Sequence, residues 1–199
     1  FCYWQSITDG LALSLFNTKD VHSELYKQAG VLTGNVNGTY NIVCFLSAFF
    51  LVPVARKLGA GVTHFISLTL AGIAIFFMSS YSNDAILFSI PNIFSGGVIP
   101  VSQIYLISLG LGIGWASMLS MPYSMLSSAL PSNRIGIYMG IFNMFIVLPM
   151  LIQTLTMDFV MENFLGNNKI HELQLAGVFL ILGGICTLFV KKHQPSETV

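Results

Sequence analysis

The segment FCYWQSITDG, positions 1–10, places one carboxylate, Asp9, in an otherwise apolar stretch. Gln5 stands four residues before it, so a helix presents both on one face, with Ser6 and Thr8 beside them. An acid set in a low-dielectric span resists ionisation and can pass a proton to and from water. The chemistry this pattern offers is proton exchange and hydrogen bonding to a hydroxylated solute. An acid tied into a structural hydrogen-bond network would carry the same pattern.

Further amides lie downstream. Asn37 and Asn41 are four residues apart and share a face, with Asn35 nearly opposite. Gly34 and Gly38 beside them form a GxxxG, the spacing that lets two membrane helices approach closely. The asparagines therefore read either as cavity lining or as polar contact between helices. Asn143 and Gln153 follow, about 80° off a common helical face, so they need not act together. His64 is expected as an interfacial side chain with a secondary claim to gating. Bond-making chemistry has no support: HExxH, GxSxG, paired CxxC and a phosphate loop are all missing from the sequence. Cys2, Cys44 and Cys186 are far apart within apolar segments and read as small buried hydrophobes. No metal or cofactor is implied.

The elements that must position these groups follow from composition. The 199 residues are 54% hydrophobic and 8% charged, against about 25% charged in a soluble domain. So few charges cannot cover a soluble surface, and the chain reads as a multi-span membrane protein. Its formal net charge of zero provides no footprint for nucleic acid. Six apolar segments are long enough to be considered as spans, at about 1–17, 29–55, 62–81, 101–129, 136–159 and 173–190, leaving 191–199 as a tail. Lys and Arg divide five against three between the two sides: Arg56, Lys57, Arg134, Lys191 and Lys192 face Lys19, Lys27 and Lys169. The richer side is assigned to the cytoplasm, together with the C-terminal tail. At about 1.5 Å per residue, Asp9 is then expected on the order of 13 Å below the outer surface, near the midplane of a roughly 30 Å core. The segment YSNDAILFSIPNIFSGGVIP, 81–100, reads as an irregular outer connection folding back on the membrane surface. The chain opens directly in apolar sequence at Phe1, as the interior of a membrane helix would, and is expected to be the C-terminal part of a longer protein.

The stretch GLGIGWASMLSMPYSMLSSALPSNRIGIYMG, 110–140, combines Gly, Ser and Pro in a way that suits lipid. Gly110 and Gly114 are four apart, as are Gly136 and Gly140, and Ser120, Ser124 and Ser128 keep the same spacing. These residues are expected to pack helices closely, with Pro122 and Pro149 bending them. Trp115 falls about 20 Å from the cytoplasmic end, too deep for an interfacial anchor, where its ring is available to stack on a sugar or to pack.

This region, GIGWASMLSMPYSMLSSALPSNRIGIYMGIFNMFIVLP, resembles the tenth and eleventh spans of the glycoside–pentoside–hexuronide cation symporters of the major facilitator superfamily, in their sucrose-transporter-like branch. FCYWQSITDG is similar to the seventh span, keeping Thr8 and Asp9 of an Asp-Thr-Asp run but with Ile7 at its first position. VPVARKLGAG is a degenerate form of the cytoplasmic loop between spans eight and nine, lacking its acidic residue near Val54 and Ala55. Pro149-Met150 stands where members often carry Pro-Gln. The resemblance implies an all-α membrane protein whose six spans form the C-terminal half-bundle of a twelve-helix facilitator fold. It further implies a secondary transporter that symports a sugar, such as sucrose or maltose, with protons by alternating access across a plasma membrane of bacterial inner-membrane type. Asp9 would couple or bind, Gln5, Asn37, Asn41, Trp115 and Asn143 would line the cavity, and the partners would be sugar, protons, lipid and an N-terminal six-helix half. The departures leave a second reading, a sugar sensor or scaffold that has kept the permease fold and lost transport.

Overall fold

A computed structural model of the protein describes residues 1–92, 96–130 and 134–190. Six helices carry most of it: α1 (Cys2–Phe16), α2 (Glu24–Leu58), α3 (Ala60–Phe76), α4 (Leu106–Ala129), α5 (Ile135–Asn163) and α6 (Lys169–Thr187). Four of them are long and apolar enough to cross a membrane: α2, α4 with its preceding 3-10 turn, α5 and α6. At 17 residues α3 is a shorter apolar helix, and α1 has 15.

Local sequence explains the boundaries. Ser23 caps α2, its hydroxyl accepting from the Tyr26 amide at 3.1 Å, and Asn168 caps α6 by accepting from the Ile170 amide at 2.9 Å. Asn17 ends α1 in the left-handed conformation that asparagine tolerates. Gly59 alone separates α2 from α3, at φ 88°, where a side chain would be strained. Arg56 and Lys57, expected in a loop, form the last turn of α2, where their charge complements the helix dipole. Arg134 sits at the N-cap of α5. Pro53, Pro122 and Pro149 all lie inside continuous helices.

The connection expected to be irregular contains a β-hairpin. Strand β1 (Ile86–Pro91) pairs antiparallel with β2 (Val98–Ser102), in the register Ile90 to Ile99. Val101 is thus a strand residue, and α4 begins at Leu106 rather than near 101. The third span likewise ends early: α3 stops at Phe76, and Met78–Ser80 form a 3-10 turn. The tail at 191–199, with Lys191 and Lys192, lies outside the described residues.

Packing divides the bundle into two regions. The larger core gathers Tyr3, Ile7 and Leu11 of α1, Leu32, Val36 and Tyr40 of α2, Ile75 and Met78 at the end of α3, Ile104, Ile107 and Leu111 where α4 begins, and Leu173 in the first turns of α6. It therefore occupies the end of the bundle near the hairpin. Nearer the other end a small cluster of Leu51, Ala116 and Met121 joins α2 to α4. Outward faces are apolar: Phe45, Phe49 and Phe50 on α2, Phe145 and Leu155 on α5 and Phe179 on α6 are all exposed. Such large exposed apolar area is what a lipid environment accommodates.

Glycines set the closest approaches. Gly110 and Gly114 of α4 press on Ala74 and Ala71 of α3, and Gly112 on Val43 of α2. A glycine-to-glycine contact joins α3 to α6, where a Cβ on Gly72 would meet the Gly177 carbonyl oxygen at 2.6 Å. By contrast, a Cβ on Gly34, Gly38, Gly136 or Gly140 meets nothing within 4 Å among the described residues, so the close packing expected of Gly136 and Gly140 is not seen within them. Four-residue spacing permits close approach, but it does not supply the neighbour.

Candidate functional site

The expected site residues fall on α1, α2, α4 and α5, and the structure distributes them over several contacts rather than one. Asp9 is half-buried and accepts a 2.6 Å hydrogen bond from the Tyr26 hydroxyl near the start of α2. Gln5, one turn away, instead turns to α5, where its side-chain oxygen accepts from Gln153 Nε2 at 3.0 Å. Ser6 turns to α6. Helical spacing placed Gln5 and Asp9 on one face, but the two side chains bond to different helices.

Asp9 does not lie halfway along the bundle. A Cβ on neighbouring Gly10 would touch Leu173 Cδ1 at 2.5 Å and Met78 Cε at 3.2 Å, which places this part of α1 against the first turns of α6 and the turn after α3. The midplane estimate counted from the end of α1 as though that end lay at the surface. The long α2 overturns it. Ser108, two residues into α4, donates to the Val36 carbonyl at 2.8 Å, and Val36 is twelve residues into α2. The α1–α2 connection therefore stands about 15 Å beyond the start of α4.

On the side formed by α1, α2, α4 and α5, polar and aromatic side chains link the helices. The Tyr3 hydroxyl donates to Asn37 Oδ1 at 2.9 Å, and Asn41 Nδ2 donates to the Asn37 carbonyl at 2.7 Å. Trp4 meets Trp115 edge-on, with ring centroids 4.7 Å apart. Tyr123 donates to Asn143 Oδ1 at 2.6 Å and packs edge-on against Phe142. Asn143 and Gln153 contact different helices, as their angular offset requires. Gln5, Asn41, Asn143 and Trp4 remain exposed while making these contacts. Three serines in the second half of α4 bond to their own helix: Ser120 donates to the Ala116 carbonyl, Ser127 to Ser124 and Ser128 to Met125.

Two buried ionisable side chains among the described residues lie outside the expected set. Glu172, 1% exposed in the first turn of α6, accepts from Ser6 Oγ at 2.8 Å and pairs with Lys169 Nζ at 2.8 Å. Its burial was hidden because its partner on α1 is 166 residues away. Only the i, i+3 Lys–Glu spacing was visible in sequence. His64 is 4% exposed, its Nδ1 2.8 Å from Ser117 Oγ on α4. It is a bonded core side chain joining α3 to α4, not an interfacial one. Among the described residues, no three His, Cys, Asp or Glu side chains come together as metal ligands would.

No protein-family model, curated protein or solved structure matches this chain. The fold itself defines the class: a mostly helical chain with four helices long and apolar enough to cross a membrane.

Proposed function

We propose that the chain forms one half-bundle of a secondary transporter that symports a sugar, such as a disaccharide of the sucrose or maltose kind, with protons. One observation carries the reading. Polar and aromatic side chains, several of them exposed, concentrate on the side formed by α1, α2, α4 and α5, whereas α3 and α6 lock together through Gly72 and Gly177. A half-bundle with one polar side fits a solute path shared with a second half-bundle, and its apolar surface fits lipid. Gln5, Asn37, Asn41 and Asn143 offer the amide donors and acceptors that hydroxyl groups require, and the Trp4–Trp115 pair offers ring faces and edges. Asp9, held by Tyr26, is the carboxylate proposed to exchange the proton. In this reading the protein resides in a plasma membrane of the bacterial inner-membrane type, with Arg56, Lys57 and Arg134 on the cytoplasmic side, as the C-terminal tail is.

The test is uptake of labelled sucrose and maltose by vesicles containing the full-length protein, with an imposed pH gradient. Accumulation that collapses with the gradient and is lost in Asp9→Asn supports the reading. Uptake indifferent to the gradient removes proton coupling. Binding of sugar without flux replaces transport by sensing.

A further inference from the structure

A cleft of about 380 Å³ opens between α2 and the hairpin, lined by Leu32 and Asn35 of α2, Asn83, Asp84 and Ile86 before and in β1, and Pro100, Ser102 and Tyr105 after the turn. Asn35 and Asn37 are two residues apart and so point about 200° from each other. The cleft is thus on the far face of α2 from the Tyr3–Asn37 contact, and the transport reading makes no use of it.

Its polar groups are oriented and largely unspent. Buried Ser102 donates to Asn83 Oδ1 at 3.2 Å, and β-pairing of Ile86 with Ser102 holds the two strands at this point. The Ser82 amide donates to Gln103 Oε1, and the Asp84 amide to Ser82 Oγ, which fixes the segment that carries Asn83 and Asp84. Among the described residues, nothing hydrogen-bonds the Asp84 carboxylate, Asn83 Nδ2, the Asn35 side-chain amide or the Tyr105 hydroxyl. Leu32, Pro100 and the half-buried Tyr105 ring supply apolar wall beside these donors and acceptors.

The chemistry narrows the ligand. No cationic side chain lines the cleft, and Asp84 would repel an anion. The amide and phenol donors would go unmatched against a bare cation. A neutral molecule carrying both hydroxyl donors and acceptors, with C–H faces between them, answers every group present. The volume falls in the range of about 300–1,000 Å³ typical of small-molecule pockets. The geometry points to this cleft as a second, outer binding site for a neutral polyhydroxylated molecule, a sugar or sugar alcohol. It does not depend on the proposed transport function, because the argument uses none of the residues assigned there.

Protection of a reporter thiol tests it. Ile86, exposed at the rim, is replaced by Cys in a background where Cys2, Cys44 and Cys186 are Ser, and the protein is placed in lipid nanodiscs. Maleimide labelling of Ile86→Cys should slow in sucrose or maltose as 1 + [L]/Kd, about fivefold at four times Kd, and not in glycine betaine at equal concentration. The protection should persist in Gln5→Ala/Asn143→Ala, which disables the proposed transport cavity. It should disappear in Asp84→Ala/Asn35→Ala. Should that pair misfold, Asp84→Asn and Tyr105→Phe test the same point, with an apparent Kd raised about tenfold expected for the first. The proposal is overturned if neither sugar protects, if protection survives loss of Asp84 and Asn35, or if it vanishes with Gln5 and Asn143. Failure of pH-driven uptake alone leaves this test unaffected.

Discussion

Replacing Gly177 with Ala should destabilise the bundle, whereas the same replacement at Gly140 should not. A Cβ on Gly177 would sit 2.7 Å from the Gly72 carbonyl oxygen, 3.0 Å from the Phe76 amide nitrogen and 3.1 Å from Phe76 Cβ. The first two are backbone atoms of α3 and cannot rotate away, so α3 and α6 must separate along the contact. Overpacking of this kind costs about 1–3 kcal/mol, and a backbone obstacle places Gly177→Ala in the upper half of that range. Alanine also gains about 1 kcal/mol of helix propensity over glycine, but both variants share that gain. Their difference therefore isolates packing and should be about 2–3 kcal/mol, because a Cβ on Gly140 meets nothing within 4 Å. The assay is equilibrium unfolding in mixed detergent micelles with increasing SDS, followed by circular dichroism, on both variants and the parent. Equal stability of Gly177→Ala and Gly140→Ala would refute the backbone-to-backbone contact between α3 and α6.

Lys169→Ala should destabilise by about 1.5–3 kcal/mol in the same titration, because it removes a charged hydrogen bond to the buried Glu172 carboxylate and leaves that group only Ser6 among the described residues. Ser6→Ala, which removes one hydrogen bond to that carboxylate, should cost about 1.5–3 kcal/mol. If Asp9 couples protons, Tyr26→Phe should weaken proton-driven accumulation without abolishing it, while Asp9→Asn abolishes it; equal uptake in both variants and the parent would remove Asp9 from the mechanism. Tyr123→Phe should loosen α5 from α4, read as faster maleimide labelling of a cysteine placed at Phe142, with secondary structure unchanged.

How much was legible depended on the range of each interaction. Helix number and approximate placement were readable because apolar length is a local property. Gly110 and Gly114 share a face, as small residues four apart must, and that face lies against Ala74 and Ala71 of α3. The identical spacing at Gly136/Gly140 meets no neighbour within 4 Å among the described residues. The backbone-to-backbone contact of Gly72 with Gly177 uses single glycines on two helices about a hundred residues apart, and no local pattern announces it. The hairpin had a local signal: β-branched and aromatic residues on either side of Gly96-Gly97, a combination that favours a turn between strands. Burial of Glu172 and His64 had none, because Ser6 and Ser117 reach them from distant parts of the chain.

The helix contacts are of two physical kinds, and they divide the bundle mechanically. Between α3 and α6, and between α3 and α4, glycine brings backbone against side chain or backbone, leaving no soft group to absorb a shift. Helix α5 is held differently. Met161 is its only buried residue among those described, and its named ties to α1 and α4 are Gln153 to Gln5, Asn143 to Tyr123 and the Phe142–Tyr123 ring contact. Lipid gives apolar helices no hydrophobic reason to associate, so such side-chain bonds account for much of the specific attachment of α5. Each can lengthen or exchange partners through rotamer changes while the backbone stays helical. Motion of α5 against a fixed α3–α4–α6 block therefore meets less resistance than motion within the block.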